Sequence, residues 1–144
     1  MSACPPKDLC ILVADNNMEN AVSGILQRTK SLGIRAVDYT VFRHPEHDPG
    51  CLRRGHSFLR EMNAAHDYSF AMVMLDHDGS GKEDVSALEL EREMESELSK
   101  SGWDDRSVAI VIEPELEAWV WSDSPHVDSA LGWMANSPSL RTVL

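Results

Sequence analysis

The chain has 144 residues, 42% hydrophobic and 26% charged, with a formal net charge of −11. That composition is globular rather than disordered, and one domain of this length buries roughly two-thirds of its unfolded surface, enough for a core without staples. No apolar run approaches the ~20 residues of a membrane helix, and Met1 to Asp8 lack the charged-then-apolar pattern of a signal peptide.

Leu9 to Ala14 is a continuous apolar run, the mark of a strand buried on both faces. Asp15-Asn16-Asn17 is a turn and helix-capping signal. Met18, Val22, Ile25, Leu26, Thr29 and Leu32 recur at helical spacing up to Gly33. Ile34 to Arg43 reads as a second strand. His44 to Gly50 contains two prolines and a glycine, so it is expected to be irregular. Cys51 to His66 suggests a second helix with a basic outer face. Phe70 to Leu75 is a third buried strand, and Asp76 to Gly81 a loop. A long acidic helix is expected from about Glu83 to Lys100, ended by Gly102. Ser107 to Ile112 is a fourth strand. Pro114 suits a helix's first turn, and Glu115 to Ser122 continue as helix. A last short helix is expected over His126 to Ala135.

The order β-α-β-α-β-α-β-α predicts a single three-layer α/β domain over 1–144, with a core at about 9–123 and a helical or irregular tail over 124–144. Its four-stranded sheet should be mainly parallel, with helices on both faces.

Cys4, Cys10 and Cys51 are odd in number, widely spaced and without a CxxC, which argues against a disulfide framework or a cysteine zinc site. A reducing cytoplasm is the expected home, with Cys10 a small core residue and the others incidental. Seven of the 13 basic residues fall between Arg28 and Arg60, whereas Glu83 to Glu97 holds seven acids against Arg92. Net charge therefore does not exclude a phosphate-bearing ligand.

In a parallel sheet all carboxyl ends share one edge, where ligands bind. Strand one ends at Asp15, with Glu19 beyond. Strand two leads into His44, His47 and Asp48. Strand three ends at Asp76 and Asp78. Strand four ends at Glu113, with Glu117 a helical turn further. So many anions at one edge call for a counter-charge, and a hard cation such as Mg²⁺ or Mn²⁺ is the simplest.

Each feature also has a plainer reading. Asp15 and Asn16 suit a helix cap, Asp76-x-Asp78 a polar turn, and Glu113 and Glu117 first-turn acids. His44 and His47 suit a solvated loop, Arg53 and Arg54 the surface, and Trp119 and Trp121 the core. The acidic helix reads as a solvated face. Asp76-x-Asp78-x-Ser80-Gly81 imitates an EF-hand start, but its twelfth position is Ala87 and a strand precedes it. A dehalogenase-like phosphatase motif would follow the first strand, not the third. A receiver-like fold would need a second acid at the first strand and a lysine after the fourth.

Leu12-Val13-Ala14-Asp15-Asn16, Met74-Leu75-Asp76-His77-Asp78-Gly79 and Pro114-Glu115-Leu116-Glu117-Ala118-Trp119, in that order, resemble the Toprim domain of topoisomerases, primases and OLD-type nucleases. The resemblance is to small members of bacterial defence and mobile-element loci, and spans roughly residues 9 to 123. Asp15 stands where the family has Glu, and Asn16 where it has Gly. The resemblance implies metal-dependent phosphodiester chemistry on nucleic acid. In that reading Asp15, Glu19, Asp76 and Asp78 are catalytic, and Asp76, Asp78, Glu113 and Glu117 hold Mg²⁺ or Mn²⁺. His47, Arg53 and Arg54 meet phosphate. The alternative is a non-catalytic, acidic subunit that binds a protein partner in such a system.

Overall fold

The computed structural model describes residues 7–64 and 68–116. β1 (Lys7–Val13) is followed by α1 (Asn16–Leu26), the short α2 (Thr29–Leu32) and β2 (Tyr39–Arg43). Next come α3 (His47–Ala64), β3 (Tyr68–Asp76), α4 (Ala87–Leu98), a π-type turn (Ser99–Trp103) and β4 (Ser107–Ile112). The four strands form one parallel sheet in the order β2-β1-β3-β4. This is the expected α/β architecture, three-layered and Rossmann-like.

β1 lies inside the sheet, and its residues from Cys10 to Val13 are fully buried. Leu12 pairs in register with Phe42 on β2 and with Val73 on β3. A parallel register keeps these side chains on one face, and α3 packs there. Gly55 faces this contact, where a side chain would begin 3.4 Å from Val73 and 3.6 Å from Leu12, ordinary packing distances. Phe58 of α3 meets Phe42 edge-to-face at 5.5 Å. Trp103, fully buried, donates its indole N–H to Leu59 O at 3.1 Å. The opposite face takes Met18 and Val22 from α1. Burying such a side chain is worth roughly 1.5–3 kcal/mol.

Several boundaries differ from the sequence expectation, each for a local reason. The first helix breaks at Gln27–Arg28, and only α2 runs on to Gly33, whose φ of 71° ends it. Strand two is confined to Tyr39–Arg43, because residues 34–38 meet the β1 backbone only at the Asp38 carbonyl, which accepts from Asp8 and Leu9 N–H. The run 44–50 is not all irregular. α3 begins at His47, and Pro49 lies in its first turn, where no N–H is needed. α4 starts at Ala87, not Glu83, with Ser86 accepting from Glu89 N–H as an N-cap. Cys51 is not incidental but fully buried, like Cys10. Burial pushes the Cys10 thiol up to about 12 and raises that of Cys51 as well, so both are inert core residues. Cys4, most of the helix expected over Glu115 to Ser122, and the helix over His126 to Ala135 lie outside the described residues.

The acidic helix is more than a solvated face. β4 is an edge strand, and its outward N–H groups at Val111 and Ala109 donate to Glu91 (2.9 Å) and Glu95 (3.2 Å) of α4. Carboxylates four residues apart thus occupy donors that a foreign strand would otherwise pair with. No helix among the described residues is long and apolar enough to cross a membrane.

Candidate functional site at the sheet switch point

From β1 the chain moves outward to β2, and from β3 it moves the other way to β4. The crevice beyond the carboxyl ends of β1 and β3 is therefore the switch point, the ligand position of open α/β sheets. Three carboxylates and a histidine arrive there from three segments, each with one atom fixed by backbone.

Asp15 follows β1 and caps α1, its Oδ1 accepting from Met18 N–H at 2.9 Å. Asp48, in the first turn of α3, reaches across the crevice. Its Oδ1 accepts from Asp76 N–H at 2.7 Å. Its Oδ2 lies 3.7 Å from where a side chain on Gly79 would begin. Gly79, at φ 88°, supplies the left-handed backbone with which the loop after β3 turns beside that carboxylate. Asp76, buried at the end of β3, accepts from Leu116 N–H at 2.7 Å. It thereby ties the β3 terminus to the chain leaving β4.

Burial raises the Asp48 carboxyl above its ordinary value, and the Asp15 charge adds to the rise, opposed by the bond from Asp76. His47 adopts φ 58°, a backbone conformation costly for a residue with a side chain. Its Nδ1 lies 3.1 Å from Ala14 O. A carbonyl only accepts, so Nδ1 carries the proton and neutral His47 has its lone pair on Nε2. His44 is buried beneath this turn, and burial lowers its basicity, leaving its Nδ1 to accept from Glu46 N–H. Gly50 makes that seat possible, because a side chain there would run into the His44 ring.

The loop after β3 is held from both sides. His77 N–H donates to Ile112 O and Asp78 N–H to Pro114 O at 2.8 Å, joining the loop to the end of β4. The His77 ring is buried, its Nε2 donating to Val85 O at 2.6 Å and its Nδ1 3.9 Å from Glu113. Glu83 accepts from Gly79 and Gly81, and its own and these N–H groups hold its carboxyl below the usual value.

The residues expected from sequence are thus placed unequally. Asp15, His47 and Asp76 lie at the crevice. Asp78 is exposed on the loop, and Glu113 is exposed at the end of β4. Glu19 turns toward Arg43 at 3.8 Å, and Arg54 is engaged with Glu46 at 2.9 Å. Arg53 has no carboxylate partner among the described residues and lies 3.5 Å from where a Gly81 side chain would begin. Glu117 lies outside the described residues. Asp48 was noted in sequence only as an acid beyond strand two. The missed signal is the Asp48-Pro49 pair a few residues after strand two, which suits a helix's first turn as well as a loop.

Among the described residues no three His, Cys, Asp or Glu side chains converge as a metal cage. The donor chemistry nevertheless suits Mg²⁺, which is commonly held by one or two carboxylates with water completing its octahedron. No family profile matches the chain, and no curated protein or solved structure matches it either.

Proposed function

We propose that this domain carries out Mg²⁺- or Mn²⁺-dependent phosphodiester chemistry on nucleic acid, as the Toprim resemblance implies, in a bacterial defence setting. The observation that carries the reading is Asp48, a carboxylate kept in the β1–β3 crevice beside Asp15 although burial disfavours its charge. Groups retained against their own solvation cluster at functional sites. Asp76 and Asp78 would hold the cation, with Asp48 and Glu113 as further oxygen donors. The bound ion supplies charge neutralisation at a phosphoryl oxygen.

The chain's own groups do the rest. His47, with Nδ1–H held by Ala14 O, offers Nε2 to accept the proton of an attacking water. Asp15 is the second acceptor, and Glu19 the more distant one. Arg53 is available to phosphate charge as it develops, whereas Arg54 would first have to leave Glu46. The test is cleavage of single- and double-stranded DNA and RNA in Mg²⁺ or Mn²⁺, with calorimetric titration of each metal. Asp76→Asn/Asp78→Asn should lose both metal binding and cleavage while keeping the fold, since Asn still accepts from Leu116 N–H. Cleavage that survives this change would sink the proposal.

Exposed Glu89, Glu93 and Glu97 form an acidic ridge on α4 and favour a second reading, an acidic subunit that docks on a basic protein partner. Charge reversal there would abolish complex formation without touching metal binding.

A further inference from the structure

α3 and α4 lie over the same face of the sheet, and a cavity of about 590 Å³ opens between them. Its size is that of a small-molecule pocket, which typically spans about 300–1,000 Å³. Its floor is apolar, with Val73 of β3 and Met94 and Leu98 of α4, all buried, at its base. Its rim is cationic. Arg53 comes from α3, Lys82 from the loop before α4, and Arg92 from α4 itself.

What sets these three apart from other surface cations is that they share one cavity. Arg35, Arg43, Arg54 and Lys100 each have a carboxylate within 4.0 Å. Arg53, Lys82 and Arg92 have none among the described residues, nor do Lys7, Arg28, Lys30 and Arg60, which do not line this cavity. In a chain with 24 acids and 13 bases, carboxylates are the abundant partner, yet among the described residues none lies within 4.0 Å of these three. Two acids also line the cavity. Glu97 is turned toward Lys100 at 3.5 Å, and Glu93 is the other. The rim therefore keeps a local positive balance against a net charge of −11. Three unpaired cations around an apolar floor are complementary to one chemistry: an organic body with a phosphate at one end.

We propose that the α3–α4 groove binds a nucleotide-sized phosphorylated ligand, with phosphate at the Arg53–Lys82 end and the organic body on Val73, Met94 and Leu98. Arg92 closes the rim from the other wall. This groove does not rest on the metal reading and shares only Arg53 with the switch point. Arg53 and Lys82, both beside Gly81, lie where the groove meets the loop after β3.

The test is calorimetric titration of ADP into the full chain in a chelating buffer, so that no divalent cation contributes. The wild type should bind ADP, and binding should weaken as salt rises. Lys82→Glu/Arg92→Glu, both exposed positions, should weaken it at least tenfold with an unchanged circular dichroism spectrum. Asp76→Asn/Asp78→Asn should bind ADP as the wild type does. No binding at millimolar ADP, or affinity untouched by the Lys82/Arg92 reversal, overturns the proposal. So does loss of binding in the Asp76/Asp78 variant, which would move the ligand to the sheet edge. A 5′-phosphorylated ten-nucleotide strand that binds where ADP does not would also overturn it, in favour of a polymer track.

Discussion

Two sets of carboxylates in this protein do the same local job and have opposite consequences. Asp15, Asp48 and Asp76 accept backbone N–H groups at the carboxyl ends of β1 and β3. Glu91 and Glu95 accept backbone N–H groups along the outer edge of β4. The first set lies beyond the carboxyl ends of β1 and β3, where burial raises Asp48 and the Asp15 charge adds to it. The second lies along a helix beside a strand edge, where each charge answers one orphan donor. The difference teaches that a bound carboxylate is structural where its charge is spread along an edge. It becomes a candidate for chemistry where several are gathered in a poorly solvated place.

The sharpest way to break this contrast is at the support of the crevice. Gly50→Ala would drive a methyl into the His44 ring and to 2.6 Å from Glu46 Cβ. Both belong to the turn that presents His47 and Asp48. A loss of about 3 kcal/mol is expected by urea denaturation, at the upper end of overpacking effects. A near-neutral result would mean that the α3 turn is not rigidly seated.

The edge carboxylates come next. Glu91→Ala and Glu95→Ala each leave a partly buried N–H without its acceptor, at about 1–2 kcal/mol apiece. The double variant should also associate with rising concentration, seen by light scattering, because an open strand edge pairs with others.

Asp48→Asn tests the crevice in the opposite direction. The folded carboxyl is raised, so the folded protein holds its proton more tightly than the unfolded chain does. The stability linked to that proton is full below the unfolded value of about 3.8 and is lost as pH rises through the folded value. Asn keeps the bond from Asp76 N–H without the charge. The variant should be slightly more stable than wild type at neutral pH, and should lose activity if the metal reading holds. Lower stability at neutral pH would remove Asp48 from the argument.

The smallest effect is expected at the far end of the sheet. Arg35 binds Asp8 with both guanidinium nitrogens, and Asp38 N–H adds a third bond, lowering the Asp8 carboxyl to about 2. Here the linkage runs the other way. Stability from this group is present above about 3.8 and lost as pH falls toward about 2. An NMR titration of Asp8 should show the lowered midpoint, and Arg35→Gln should move it back toward the ordinary value, the Asp38 N–H bond remaining.

Much of the architecture could be read from the chain alone, because hydrophobic patterning is a local property. Apolar runs such as Leu9 to Val13 can be satisfied only by burial on both faces, and alternation with helical periods leaves a parallel sheet as the economical solution. Convergence of acids at one edge follows from that topology. Boundaries were less legible where a residue has two uses. Pro49 breaks a helix interior yet starts a helix, and Glu91 and Glu95 resemble solvent-facing acids until a strand edge lies beside them.

What the sequence alone determined is the set of buried strands, the parallel order and the edge where Asp15 and Asp76 emerge. Those depend on the period of apolar residues and on chain direction. Only the tertiary structure decided that Asp48 bridges the crevice and that His47 turns its Nε2 lone pair free. It also decided that Arg53, Lys82 and Arg92 share one cavity. Each joins segments distant in sequence, and no local pattern encodes which backbone donor or open space a side chain will meet.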